Sequence, residues 1–327
     1  MDILIALTIF FITSIVVIVS AKFLATSGEV ISSRTGWGQV WVGTLLLAGA
    51  TSLPELVATS TASFLGTPDL AGGAIFGSNM LNMTILAVTL AIFGGNQVLQ
   101  KIMPQQTAVA IFALSLTIVA VILSALQVDI KWIIISPASL IIIACYALGS
   151  RILFRHSSSA IRRDNESTGH TLKWGWTVFA LSSATICLAT FLLTSSAANI
   201  ADITGISASF IGVIALAFVT SLPEISTSVA ALRMGTPDLA VSNLYGSNAF
   251  NIIILALADC FFMNGSIFGN LDVGAIVAGL LAILLMSLGA LQLLLRKSAS
   301  PFSLYKHSAL VMTTIYIGGV FLVFYIG

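Results

Sequence analysis

The pentad Thr-Ser-Leu-Pro-Glu stands twice in the chain, at 51–55 and at 220–224, each time inside an apolar stretch long enough to cross a bilayer. A charged residue in the middle of a membrane helix is expensive, roughly 2.5–3.5 kcal/mol on insertion scales, and points to function. A proline one residue before the acid disturbs the helix and frees backbone carbonyls. The threonine and serine just upstream add hydroxyl oxygens. Carboxylate, carbonyl and hydroxyl oxygens together are the ligands of a hard cation. Two copies point to a site assembled from two symmetric halves.

The surroundings of the pentads are those of an integral membrane protein. Of 327 residues, 58% are apolar and only 8% charged, and the mean hydropathy is +1.08. A soluble domain carries about 25% charged residues. The net charge of +1 gives no footing for nucleic acid. Cys145, Cys187 and Cys260 are isolated in apolar segments, with neither metal-ligand spacing nor a disulfide pattern. They read as small buried core residues. The N-terminus begins Met-Asp-Ile without a basic region, and its apolar run over 3–20 is too long for a signal peptide. It reads as the first spanning helix.

With about 20 residues per span, ten transmembrane helices are expected, over 3–24, 39–64, 71–93, 107–126, 131–154, 174–198, 207–232, 239–262, 271–295 and 306–326. The one long hydrophilic stretch, 150–173, holds Arg151, Arg155, Arg162, Arg163, Asp164, Glu166 and Lys173 and separates five helices from five. The chain therefore divides into a first unit at 1–149, a linker loop at 150–173 and a second unit at 174–327. With the N-terminus outside, Lys22, Arg34, Lys101, the central loop, Arg233, Arg296, Lys297 and Lys306 all fall on the cytoplasmic side, and only Lys131 falls outside. The positive-inside rule selects this orientation, with both termini outside and the central loop in the cytoplasm.

The two units repeat each other. A shift of 169 residues aligns them without a gap over about sixty positions. Thr35-Gly36 matches Thr204-Gly205, Gly43 matches Gly212, and the pentads match in full. Residues 66–71, Gly-Thr-Pro-Asp-Leu-Ala, match 235–240 one for one. Gly77-Ser78-Asn79 matches Gly246-Ser247-Asn248, and Asn82 matches Asn251. Five helices per unit is an odd number, so the second unit must enter the membrane the opposite way. Two inverted five-helix repeats, with the substrate site between them near the midplane, are a signature of secondary transporters.

Each motif has its own chemistry. Thr51 and Glu55 are spaced i, i+4 and share a helix face. Ser52 lies about 100° round, and the ring of Pro54 clashes with the carbonyl of Ala50. Irregular backbone at this depth is tolerated only where it is buried in protein or lines a cavity. The same holds for Thr220, Ser221, Pro223 and Glu224. About one helix later, Ser78 and Asn82, like Ser247 and Asn251, supply neutral oxygens at i, i+4, while Gly77 lets a neighbouring backbone come close. Gly-Thr-Pro-Asp at 66–69 and 235–238 reads instead as a helix start, with Thr67 as N-cap, Pro68 first in the helix and Asp69 at the positive end of the dipole. Glu29 reads as interfacial, and Asp202 and Asp272 as solvated loop acids. His156, His170 and His307 lie in or beside the inner loops and suggest no metal site.

The doubled Thr-Ser-Leu-Pro-Glu, the following Gly-Ser-Asn-x-x-Asn and the five-plus-five organisation resemble the cation/Ca²⁺ exchanger superfamily, and most of all its prokaryotic Na⁺/Ca²⁺ exchanger branch. The resemblance covers nearly the whole chain. It implies a central site with carboxylates from Glu55 and Glu224, oxygens from Thr51, Ser52, Thr220 and Ser221, flanking Ser78 and Ser247, and backbone oxygens of Ala48 and Ala217. It implies Ca²⁺ and Na⁺ as transported ions with no resident cofactor, a prokaryotic inner membrane, and helices 1 and 6 sliding against an eight-helix core. Proton-coupled members usually write the pentad as Gly-Asn-x-x-Glu, which this chain does not. Two departures stand out. Where well-studied exchangers often have one aspartate, this chain has Asn82 and Asn251. The glycine expected before each Thr-Ser is Ala50 and Val219.

The expected function is antiport of Ca²⁺ against Na⁺, the two cations competing for the same carboxylates. The alternative within the same fold is H⁺ as the coupling ion, because a buried glutamate can carry a proton. A channel needs a continuous pore, usually ringed by an oligomer, and an enzyme needs a nucleophile or base that the repeated motifs lack. The oligomeric state leaves no mark in the sequence. The orientation is directly testable: a reporter fused near Ser158 should be cytoplasmic and one at Gly327 external. A cytoplasmic C-terminus would break the ten-helix count.

Overall fold

The structure is a computed structural model and describes residues 2–35, 51–93, 96–156, 171–233, 235–296 and 304–327. Within these residues it is helical, and the sole β feature is an isolated Trp132–Ile135 bridge. The helices, in chain order, are α1 (Ile3–Thr35), α2 (Leu53–Phe64), α3 (Pro68–Ile92), α4 (Asn96–Lys101), α5 (Gln105–Ala125), α6 (Pro137–His156) and α7 (Leu172–Thr204). There follow α8 (Ala208–Ile211), a π-helical turn at Gly212–Leu216, α9 (Ala217–Thr220), α10 (Leu222–Arg233), α11 (Pro237–Ala258), α12 (Val273–Leu295) and α13 (Leu304–Ile326).

Seven of the described helices are long and apolar enough to cross a membrane, and the bent segment from α8 to α10 makes an eighth. α6 carries a shorter apolar stretch, Pro137–Leu153. Residues 36–50, the first part of the expected second helix, lie outside the described residues, together with Gly43, Ala48 and Ala50. So does most of the central loop.

The sequence repeat is also a structural repeat. Adding 169 to the bounds of α1, 3 and 35, gives 172 and 204, the bounds of α7. Adding it to those of α2, 53 and 64, gives 222 and 233, the bounds of α10. α1 and α7 each run for 33 residues, roughly 50 Å at 1.5 Å per residue, well beyond the hydrocarbon thickness. Both outrun the expected 3–24 and 174–198, because the residues past their apolar runs remain helical, most of them at the C-terminal ends. The two pack along each other and expose wide apolar faces, including Leu4, Phe11, Ile15, Leu181 and Leu188. α3 and α11 lie at the centre, enclosed on nearly every side.

The expected seventh helix is broken. Ala208–Thr220 and Leu222–Arg233 meet at 49°, and the π-helical turn at Gly212–Leu216 lies one α-helical turn before the break. Pro223 has no N–H for the carbonyl of Val219 and its ring crowds it, which accounts for the break at Ser221. In the first repeat Ser52 stands at the same point, before α2, with φ −92° and ψ 8°. Glycines let α3 cross the α8–α9 segment in backbone contact. A Cβ on Gly77 would lie 2.6 Å from the Val213 Cα, and one on Gly212 would lie 2.6 Å from the Leu70 carbonyl oxygen. The close approach expected at Gly77 is therefore present.

Several loop and cap residues differ from expectation. Thr67 and Thr236 occupy the N-cap positions, but their hydroxyls turn back to the carbonyls of Ala62 and Ala231. Asp69 and Asp238 do more than start helices. Asp69 Oδ1 accepts the backbone N–H of Asp272 at 2.6 Å, and Asp238 Oδ1 accepts that of Met103 at 2.7 Å. Met103 plus 169 is 272, so the two bonds are the same bond seen from each repeat. Asp272 is not a free loop acid: it caps α12 through Ala275 N–H and accepts the Ser209 hydroxyl. Asp202 is exposed, as expected, but in the last turn of α7 rather than in a loop. The cysteines are less enclosed than expected: Cys187 is exposed and Cys145 and Cys260 are half-buried. In a bilayer an exposed helix face meets acyl chains, which removes the penalty that drives such residues inside in water.

Asp259, unremarkable in the sequence, is fully buried at the C-terminal end of α11. Its carboxylate accepts the N–H of Ser136 (2.7 Å), the hydroxyl of Ser139 (2.9 Å) and the N–H of Ile267 (2.7 Å). The Lys131 ammonium donates to the carbonyls of Asp259 and Phe262. This clasp ties the loop before α6 to the loop before α12. Asp259→Ala leaves three buried donors without an acceptor and should destabilise the protein by about 3 kcal/mol. Asp259→Asn should cost about half as much. Thermal unfolding of the two variants in detergent measures the difference.

Candidate functional site

The helix start at Ser52 and the break at Ser221 bring the acids together. Glu55 and Glu224 sit in the first turns of α2 and α10, 2% and 0% exposed. Each is held by the serine of the opposite repeat. The Ser52 hydroxyl donates to Glu224 Oε1 at 3.2 Å, and the Ser221 hydroxyl donates to Glu55 Oε1 at 3.3 Å. The Thr220 hydroxyl donates to the Leu216 carbonyl of its own helix at 3.0 Å and keeps its oxygen lone pairs. The carboxylates are near enough to act on each other electrostatically. Such reciprocal pairing, i to j and j to i, is the geometry of an isologous interface between two like surfaces.

The Gly-Ser-Asn helices pair in the same way. Asn82 Nδ2 donates to Asn248 Oδ1 at 2.9 Å, and Asn251 Nδ2 donates to Asn79 Oδ1 at 3.0 Å. Gly77 brings α3 against Ala217, one turn ahead of Ser221. All of Thr51, Ser52, Ser78, Asn82, Thr220, Ser221, Ser247 and Asn251 are buried. The Ala217 carbonyl accepts the Ser221 N–H at 3.1 Å and keeps one lone pair. Ala48 lies outside the described residues.

The informative atoms are those left over. Glu55 Oε2, Glu224 Oε2, Ser78 Oγ, Ser247 Oγ, Asn82 Oδ1 and Asn251 Oδ1 are all buried without a hydrogen-bond partner. They form three pairs related by the repeat. A buried polar atom without a partner costs about 1–3 kcal/mol, more when it is charged. All six are oxygens and two are carboxylate, the donor types that suit a hard cation. A hard divalent ion takes about six to eight such oxygens. No ring nitrogen or thiolate takes part, which separates this set from those of zinc or copper.

The repeats diverge next to Glu224. Asn243 Nδ2 donates to the Glu224 carbonyl oxygen and to the hydroxyls of Thr227 and Ser228. The matching position in the first repeat is Ala74, and there the hydroxyl of Thr59, which matches Ser228, is buried without a partner. The sequence reading missed Asn79, Asn248 and Asn243 as members of the site. The first two stand inside the repeated Gly-Ser-Asn motif and so carried a signal. Asn243 breaks the repeat and carried none.

Known proteins agree with this architecture. The model of the sodium/calcium exchanger protein family matches residues 5–155 and 174–325. The putative antiporter CaxA of Alkalimonas amylolytica is 28% identical over 299 residues, covering 86% of this chain and 89% of CaxA. The solved structure of the sodium-calcium exchanger NCX_Mj superposes with a TM-score of 0.62 at 20% identity, over 98% of this chain and 99% of that one. The H⁺/Ca²⁺ exchanger CAX superposes with a TM-score of 0.67 at 16% identity, over 98% and 90%. With both of its halves matched by the family model and its fold shared with solved exchangers, this chain belongs to the sodium/calcium exchanger protein family.

Proposed function

We propose that the chain is a secondary antiporter that carries Ca²⁺ in one direction and Na⁺ in the other through the Glu55–Glu224 centre. Thr51, Ser52, Thr220, Ser221, Ser78, Ser247, Asn82 and Asn251 serve as neutral ligands, with the backbone oxygens of Ala217 and Ala48. One observation carries this reading: six buried oxygens without partners, in three repeat-related pairs, two of the six belonging to carboxylates. The ions are substrates, and the cycle needs no resident cofactor.

In this reading two carboxylates give the empty centre a formal charge of −2. A membrane interior penalises that charge, so the empty protein resists rearrangement. One Ca²⁺ or two Na⁺ neutralise it. Both bind the same oxygens and exclude each other, which is the coupling. The architecture is ten transmembrane helices as two inverted five-helix repeats, 1–149 and 174–327, joined by the cytoplasmic loop 150–173. The matched bounds of α1 with α7 and of α2 with α10 support the repeat. So do the bonds that exchange partners under the same shift. The long, mutually packed and lipid-facing α1 and α7 fit the role of the pair that slides against the remaining helices. A prokaryotic inner membrane is the expected location.

Na⁺ is the coupling ion favoured by the pentad, because Thr51-Ser52 and Thr220-Ser221 offer the hydroxyl oxygens that suit a bare alkali cation. The observation on the side of H⁺ is that each glutamate keeps one oxygen free to take a proton. Uptake of ⁴⁵Ca²⁺ into proteoliposomes separates the two. With Na⁺ as driver, uptake follows an imposed Na⁺ gradient at fixed pH and survives a protonophore. Uptake that follows only a pH gradient assigns the coupling to H⁺.

The ligand assignment makes a graded prediction in the same assay. Glu55→Gln and Glu224→Gln keep shape and one oxygen but leave the site at −1. A deficit of about 3 kcal/mol or more for a buried, under-compensated ion corresponds to a loss of at least roughly a hundredfold. Asn82→Ala and Asn251→Ala remove one neutral ligand each and should cost about tenfold. Asp69→Asn and Asp238→Asn keep an acceptor for the N–H groups of Asp272 and Met103 and should exchange nearly as the parent does. Inactive Asp variants beside active Glu variants would move the site elsewhere in the repeat.

A further inference from the structure

Asn79 and Asn248 were not among the expected ligands, yet they are fully buried beside them. Their own amides are fixed first. Asn79 Nδ2 donates to the backbone oxygen of Asn248 at 3.3 Å, and Asn248 Nδ2 donates to that of Asn79 at 3.5 Å. Each side chain therefore presents its Oδ1 outward as an acceptor. That oxygen receives the amide of the asparagine three residues further along on the opposite repeat: Asn248 Oδ1 takes Asn82, and Asn79 Oδ1 takes Asn251. Spacing i, i+3 places 79 and 82 on one face of α3, and 248 and 251 on one face of α11. Four amides thus close a ring of cross-helix bonds, and every amide nitrogen in it donates within the ring.

The consequence lies in the far ends of Asn82 and Asn251. A primary amide has an oxygen end and an NH₂ end of almost the same shape but opposite polarity. Toward a cation, the oxygen end attracts and the NH₂ end repels. With their nitrogens bonded to Asn248 and Asn79, Asn82 and Asn251 are left with Oδ1 buried and unpartnered. We propose that Asn79 and Asn248 are positioning residues for cation binding, each fixing the amide of the opposite repeat's ligand asparagine so that its carbonyl oxygen faces the ion. The proposal rests on reading the Glu55–Glu224 centre as the transport site. It explains why the motif is Gly-Ser-Asn-x-x-Asn rather than Ser-x-x-x-Asn alone: the inner asparagine of each repeat orients the outer asparagine of the other.

The test is the Ca²⁺ dependence of initial ⁴⁵Ca²⁺ uptake in proteoliposomes. Asn248→Leu, similar in size but without an acceptor, should raise the apparent KM about tenfold, the effect of one lost oxygen ligand. Its maximal rate should stay close to that of the parent, while its thermal midpoint falls because the buried Asn82 amide loses its acceptor. Asn248→Asp keeps an acceptor oxygen toward Asn82, so its KM should stay closer to the parent than that of Asn248→Leu. It also serves as the second variant if the leucine protein folds poorly. Asn82→Ala combined with Asn248→Leu should be no worse than Asn82→Ala alone, because Asn248 acts through Asn82. Asn82→Ala with Asn79→Leu should multiply the two effects, because Asn79 serves Asn251. An unchanged KM in Asn248→Leu, equal defects in Asn248→Leu and Asn248→Asp, or multiplicative defects in the 82/248 pair would make these residues packing elements only and overturn the proposal. A parent protein that moves no Ca²⁺ under either a Na⁺ or an H⁺ gradient would instead remove the reading on which it rests.

Discussion

Two carboxylates buried in the first turns of two facing helices are the constraint around which the rest of the molecule is arranged. Neither helix could hold its acid alone. The first turn of each offers its glutamate to a serine on the other, Ser52 to Glu224 and Ser221 to Glu55. The prolines matter because they create helix starts in mid-membrane, and a helix start is the electropositive end of the backbone dipole. Glycines at 77 and 212 matter because they let the central helices come close enough for the pairing to close. The pair of acids is therefore a product of both repeats at once, and neither repeat carries a complete site.

The same bonding logic recurs at three levels. At the acids it is serine to carboxylate. Beside them it is asparagine to asparagine across α3 and α11. At the ends of the bundle it is Asp69 with Asp272 and Asp238 with Met103. In every case residue i of one repeat reaches residue j of the other, and the shift of 169 converts one bond into its twin. A protein built in this way gains each interaction twice from one local sequence solution. A substitution in either copy also breaks the match.

Much of the candidate site could be read from the chain because duplication marks it. The pentads and the Gly-Ser-Asn motifs stand out by being written twice at constant spacing, and the structure buries all the described residues picked from them. The proline break was legible because the missing N–H is a property of one residue. Features that occur once were not legible. Asp259 looks like any acid near a helix end, and its burial follows from Ser136, Ser139 and Ile267 arriving from distant segments. The π-helical turn before Ser221 and the partners of Asn79 and Asn248 depend on how helices cross, which spacing alone does not encode. The exposure of Cys187 was misjudged for a physical reason: rules for burial in water do not hold for a face that meets lipid.

Asn243 has a consequence of a different kind. It fastens the backbone oxygen of Glu224 and two hydroxyls of α10, while Ala74 leaves the corresponding turn of α2 without such a brace. In a carrier with identical halves, the conformation open to one side and the conformation open to the other would be the same structure turned over. They would be equal in energy, and the resting molecule would divide evenly between them. One braced half and one unbraced half remove the symmetry that such an equality would require.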